Sequence, residues 1–170
     1  MSFLPLVLVL ASSAGPDLSG TWKLDAGRSR ITTEVGWPGL IGSGAPEKLH
    51  ITHAANGTVV IESEINESHA RIYKPGGAKT VTPVAVTGSI TMTSRWEGLR
   101  LASEGSLTPP SGPPSTVRET LALSGDGRTL TVEIETTGPS GSSASGLTYV
   151  RTDVVDPCEK WPTPCKPPGS

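Results

Sequence analysis

The chain has 170 residues, among them Gly 20 and Pro 16, with 35% hydrophobic and 18% charged residues and a formal net charge of −2. Its pI of about 5.9 speaks against nucleic acid as a partner, since that needs a basic face to neutralise phosphates. The length fits one domain with tails, and a domain of roughly 150 residues buries about 68–70% of its unfolded surface, enough to fold without a metal.

Residues 1–14 read MSFLPLVLVLASSA. This apolar run is far short of the roughly 20 apolar residues of a membrane span, so no stable membrane insertion is expected. Its length suits the core of a signal peptide, with Ser12 and Ala14 at the −3 and −1 positions of a cleavage site before Gly15, although no Lys or Arg precedes it. A buried N-terminal strand is the alternative. The signal-peptide reading makes the protein secreted or periplasmic. It divides the chain into a signal peptide at 1–14, a domain at 15–155 and a Pro-rich tail at 156–170.

Beyond the leader, apolar and polar residues alternate in short runs broken by turn residues, with no sustained helical period. Trp22 and Leu24 alternate with Thr21 and Lys23; Leu49, Ile51 and His53 with His50 and Thr52; Val59, Ile61 and Ile65 with Val60, Glu62 and Glu64. Asn56-Gly57 between the last two runs is a strong hairpin signal. A shorter run at 70–74 precedes Pro75-Gly76-Gly77, and Ile90 and Met92 lead to Trp96 and a tight Glu97-Gly98 turn before Leu99 and Leu101. Val117, Leu121 and Leu123 are followed by the turn Gly125-Asp126-Gly127, then by Leu130, Val132 and Ile134, and a last run holds Leu147, Tyr149 and Arg151. The pattern predicts an all-β antiparallel meander of about eight to nine strands, closed as an up-and-down barrel or folded as a sandwich. Closure is favoured because an open meander leaves unpaired edges. Residues 25–46, 106–116 and 138–146 read as loops, the first long and Gly-rich, the last flexible.

The chemistry-bearing residues form no catalytic or metal constellation. His50 and His53 are three apart on a strand and so face opposite sides; His69 sits at a turn. No Gly-x-Ser-x-Gly elbow occurs, and the glycines at 36, 39, 42 and 44 lack the Lys and helix of a phosphate loop. No metal and no cofactor is expected, and the protein is not expected to be an enzyme. Glu62, Glu64, Glu133 and Glu135 lie opposite apolar faces and are expected in solvent. Glu119 differs: it shares the inward phase of Val117, Leu121 and Leu123, and a buried carboxylate needs a partner. Arg151, also in the inward phase, is the expected one. Cys158 and Cys165, in CEKWPTPC within the tail, are the two cysteines. In an exported chain they read as a disulfide, with free thiols the alternative.

Gly20-x-Trp22 in the first strand, with Arg151 in the last, resembles the lipocalin and wider calycin signature. More closely, the chain is similar to small exported bacterial lipocalin-like proteins that open on an LSGTWKL-type strand (here residues 18–24) and carry a Trp-x-Gly hairpin, matched by Trp96-Glu97-Gly98. A later LS-x-DG-x-TLTVE hairpin is matched from Leu123 to Glu133. The resemblance spans roughly residues 17–152 and implies a lipocalin-like barrel. In it Trp22 plugs one end, Arg151 packs across the indole, and the long loop after the first strand serves as a lid with Trp37 and Leu40 over the mouth.

Two functions follow as expectations. The first is an exported, monomeric barrel binding a small apolar molecule. Trp22, Leu24, Ile51, Ile61, Met92, Leu101, Leu121, Val132 and Tyr149 would line its cavity, with Trp37 and Leu40 above, Glu119 as a polar anchor and Arg151 at the closed end. The second is a non-catalytic structural or interaction module with a filled barrel and a functional Pro-rich tail. The low aromatic content, 4%, favours the filled barrel; the apolar loop of lid length favours the binder.

Overall fold

The computed structural model describes residues 15–32, 44–63, 70–84 and 88–152. The expectations for residues 1–14, for Trp37, Leu40 and His69, and for the tail with Cys158, Trp161 and Cys165 lie outside the described residues. Ten strands follow in chain order: β1 (Gly20–Leu24), β2 (Lys48–His53), β3 (Val59–Ser63), β4 (Arg71–Tyr73), β5 (Thr80–Val84), β6 (Gly88–Glu97), β7 (Arg100–Thr108), β8 (Ser115–Leu123), β9 (Thr129–Gly138) and β10 (Gly141–Thr152). A 3-10 turn at Ala26–Arg28 follows β1, capped by Asp25, whose side chain accepts from the Arg28 backbone N–H. No helix among the described residues is long and apolar enough to cross a membrane.

The strands form one antiparallel sheet in the order β4-β3-β2-β1-β10-β9-β8-β7-β6-β5. Strands consecutive in sequence are hydrogen-bonded neighbours except β4 and β5, and β1 pairs with β10 in the register Trp22↔Arg151 and Leu24↔Tyr149. The sheet curls into a nearly closed barrel whose two end strands, β4 and β5, are not hydrogen-bonded neighbours. What fastens this seam on the backbone is local. Pro75 and Ser94 form an isolated parallel bridge, and the N–H groups of Gly76 and Gly77 both donate to the Ser94 carbonyl.

The all-β barrel is the one that alternation predicts, with ten strands instead of eight or nine. The additional strand is β5. Its pattern is inverted over most of its length, with Thr80 and Thr82 buried while Val81 is 64% exposed, so that Val84 is the one apolar residue on its inner face. It also carries Pro83, which a sheet tolerates at an edge, where no ladder bond is lost. Two expected loops are also partly strand: the first is shortened to 109–114, the second is nearly all strand. β7 continues through Gly105 and Ser106 to Thr108, and β8 starts at Ser115. The Gly/Ser stretch at 138–146 holds the end of β9, a tight turn and the start of β10. There Gly146 exchanges backbone hydrogen bonds with Arg30, at 2.7 and 2.9 Å, and the Ser145 hydroxyl accepts from the Thr32 N–H. Small side chains let this crossing segment lie against β10.

The core is the inner face. Leu49, Ile51, Val59, Ile61, Ile90, Met92, Leu101, Leu121, Val132 and Leu147 are 0–2% exposed. Burying each such side chain contributes roughly 1.5–3 kcal/mol, so this lining is the main stabilising element.

Gly88 opens β6 with φ 104°, and a β-carbon there would collide with the Thr108 carbonyl. Gly88→Ala is expected to lose about 2–4 kcal/mol in urea unfolding, combining left-handed backbone strain with overpacking.

Candidate functional site

The interior is layered by strand register. One level is apolar, running Trp96↔Leu101↔Leu121↔Val132↔Leu147 across β6 to β10. The next level is Ser94↔Ser103↔Glu119↔Ile134↔Ser145. Three hydroxyls and a carboxylate there face inward and are buried, and the Ser103 hydroxyl donates to that of Ser94 at 2.8 Å.

Into this polar level reach two side chains of β4. Arg71 Nη2 lies 2.7 Å from Glu119 Oε1, and the Tyr73 hydroxyl donates to Glu119 Oε2 at 2.8 Å. Arg71 Nη1 also lies 4.0 Å from the Met92 sulfur. Arg71 and Glu119 are 1% exposed and Tyr73 is fully buried. Both carboxylate oxygens thus have a strong donor, which is what makes a buried charge tolerable. Burial, reinforced by the negative Glu119, holds the Tyr73 hydroxyl well above the usual tyrosine range.

This overturns the expected pairing of Glu119 with Arg151. The phase argument was sound for both residues, but they lie at different levels of the barrel. Arg151 belongs to the end, where its guanidinium stacks 4.4 Å from the Trp22 ring centroid. Its Nη1 donates to the Ser19 carbonyl at 2.5 Å and its Nε to the Gly127 carbonyl at 3.0 Å. Trp22 is fully buried and donates its indole N–H to the Leu18 carbonyl at 3.1 Å. Gly20 completes this end: its φ is 138°, and a β-carbon there would stand 2.6 Å from Arg151 Nη1. The Gly-x-Trp spacing therefore clears room for the cation that covers the indole.

Of the expected lining residues, Ile51, Ile61, Met92, Leu101, Leu121, Val132 and Tyr149 are inward and buried, and Leu24 packs against the core half-buried. The Tyr149 hydroxyl donates to the Pro46 carbonyl at 3.1 Å, and burial raises its pKa above the ordinary value. The residues that sequence reasoning missed are Arg71 and Tyr73. Their strand has three residues and its apolar member, Ile72, faces outward at 37% exposed, so hydrophobicity pointed to the wrong face.

His50 and His53 lie on opposite faces as expected. His53 lies against Trp96, ring centroids 5.8 Å apart, and 3.8 Å from the Asp17 carboxylate. Glu62 departs from expectation: it is 2% exposed and is the register partner of His50, 3% exposed, so the outer face of β2–β3 is covered there. The burial also lowers the His50 pKa. On the opposite outer wall, a hollow of about 450 Å³ lies over β7–β9, lined by the register-paired Glu104, Arg118 and Glu135. Its charges make it unsuited to an apolar molecule.

No protein-family model and no curated protein matches the sequence. Solved structures do. Apo lipid binding protein 8 from Caenorhabditis elegans aligns with a TM-score of 0.54 at 17% identity, covering 79% of this chain and 95% of that one. Zebrafish ileal bile acid-binding protein complexed with cholic acid aligns with a TM-score of 0.49 at 16% identity, covering 79% and 98%. At the first of these levels the likeness establishes a shared antiparallel β-barrel fold.

Two predictions follow from the buried triad. Arg71→Met and Glu119→Leu are each expected to cost about 3–5 kcal/mol in urea unfolding at neutral pH, because each strands a buried charge, and the double variant clearly less than their sum. The second concerns alkali. The chain has two tyrosines, Tyr73 and Tyr149, both buried with raised pKa. A raised folded-state pKa contributes stability present below the unfolded value of about 10 and lost as pH climbs above it. Phenolate absorbance is therefore expected to stay absent from the native protein above about pH 10, where the urea-unfolded chain shows both tyrosines titrating, and to appear only with unfolding.

Proposed function

We propose that this barrel binds a small apolar molecule, admitted at the seam between β4 and β5. The observation that carries the reading is the composition of that seam. It has no backbone ladder along its length. Outside, Ile72 and Val81 expose apolar side chains on its two strands; inside lie Ile90 and Met92 of the adjoining β6. A strand pair held by side chains opens at lower cost than one held by hydrogen bonds, and exposed apolar residues at the opening suit an apolar entrant. The shared fold with a protein named for lipid binding adds support. Because the inner side chains are packed at 0–2% exposure, binding would displace them instead of filling a ready cavity. In this reading the protein acts after export, as residues 1–14 suggest, as a monomeric non-catalytic carrier.

A second reading rests on that same packing: a filled barrel that serves as a structural or interaction module, with its Pro-rich tail as the working segment. One experiment separates the two. The full chain is titrated with 1-dodecanol, following tryptophan fluorescence and native mass spectrometry, with hydrogen exchange read at β4 and β5. The binder reading expects saturable binding, a one-to-one mass shift and altered exchange in the two seam strands. Absence of binding to dodecanol and to a panel of neutral lipids, with unchanged exchange, leaves the filled module.

A further inference from the structure

We propose that Glu119 is a built-in occupant of an interior carboxylate site formed by Arg71 and Tyr73, and that it restricts the barrel to uncharged apolar ligands such as long-chain alcohols and esters. The restriction rests on the ligand-binding reading above; the occupancy stands on side-chain geometry alone.

The donors come from one wall and the acceptor from another. Arg71 and Tyr73 lie on β4, at one end of the strand order, and Glu119 on β8, six places along it. Each carboxylate oxygen takes one donor, at 2.7 and 2.8 Å, an arrangement that the carboxylate of any small acid could satisfy. Among the described residues Arg71 is the one arginine or lysine buried in the interior. The wall beside Glu119 is polar but uncharged, with Ser94 and Ser103 bonded to each other. An incoming carboxylate would therefore give up its hydration, find both donors taken and meet a like charge. An uncharged head group meets only the last of the wall's hydroxyls and no repulsion.

Stability alone does not account for the triad. A buried ion pair replaced by apolar residues of similar volume is often as stable or more so, and the neighbouring level from Trp96 to Leu147 is apolar already. Charge selection gives the pair a role that a Leu–Met contact would lack.

The test has two arms on the full chain. In the first, Glu119→Ala and wild type are melted in acetate, in acetamide and in chloride of matched ionic strength. Acetate is expected to raise the melting temperature of Glu119→Ala and not of wild type, and acetamide to raise neither; no acetate effect on the variant overturns the occupancy. In the second, wild type and variant are titrated with laurate and 1-dodecanol at neutral pH. Wild type is expected to prefer dodecanol by at least about tenfold, and Glu119→Ala to shift that ratio toward laurate by at least about tenfold. An unchanged ratio, or a wild type that takes laurate as well as dodecanol, overturns the restriction while the ligand-binding reading stands. A wild type that binds neither removes that reading, and the acetate arm alone then decides the occupancy. Should Glu119→Ala fail to fold, Glu119→Ser, which likewise vacates the site and removes the charge, carries both arms with the same expected results.

Discussion

A carboxylate inside a protein must be answered, and in this barrel the answer to Glu119 comes from across the interior. Arg71 and Tyr73 reach it from β4, the strand at which the hydrogen-bonded sheet ends. The backbone ladder closes nine of the ten strand-to-strand junctions; at the tenth, the triad and the local contacts around Ser94 take its place. The small or hydroxyl-bearing residues of that level follow from the same constraint. Ser94 and Ser103 keep the side chains of β6 and β7 short at the level that the arginine enters from the far side. Thr80 and Thr82 give β5 an inward face compatible with a charged neighbour, at the cost of turning Val81 out to solvent.

The opposite end of the barrel is closed by different physics. Trp22 fills it, Arg151 covers the indole, and Gly20 is bare so that the guanidinium fits. Here the charge stays half-exposed and spends its donors on the carbonyls of Ser19 and Gly127, so no buried counter-charge is needed. The two arginines thus illustrate two ways of holding a guanidinium in a barrel. One is paired and buried, at a level where its absence would strand a carboxylate. The other is stacked at the rim, where solvent shares the load.

The legible part of the sequence was the part where hydrophobicity and inwardness coincide. Runs such as Thr21–Leu24, Leu49–His53 and Leu130–Ile134 alternate cleanly, and the inner lining from Ile51 to Tyr149 lies where alternation assigns it. The partnership of Trp22 with Arg151 was legible through the resemblance of the Gly-x-Trp strand to the lipocalin signature, and the two stack across β1 and β10. What stayed hidden was polar and inward. β5 hides because its threonines face the core, and Arg71 and Tyr73 because the apolar Ile72 between them faces out. Glu119 announced itself by phase, but phase gives the face and not the level. Only the registers of β8 to β10 separate the depth of Glu119 from that of Arg151.

The strand order also says where this chain could be cut. Read from β5 through β10, across the β10–β1 pairing and on to β4, the barrel is one unbroken meander whose every step is a pair of neighbours. The break in that meander falls at the turn around Pro75-Gly76-Gly77, while the two strands that carry the domain's outer ends, β1 and β10, stand side by side at Thr21↔Thr152. In topological terms the covalent ends and the sheet's ends are in different places. A circularly permuted chain, joined between β10 and β1 and opened at that turn, would bring the two into coincidence without giving up a single ladder. Its folding would then proceed through sequence-adjacent hairpins alone, whereas the native order must bring Trp22 and Arg151 together across most of the chain before the barrel can close.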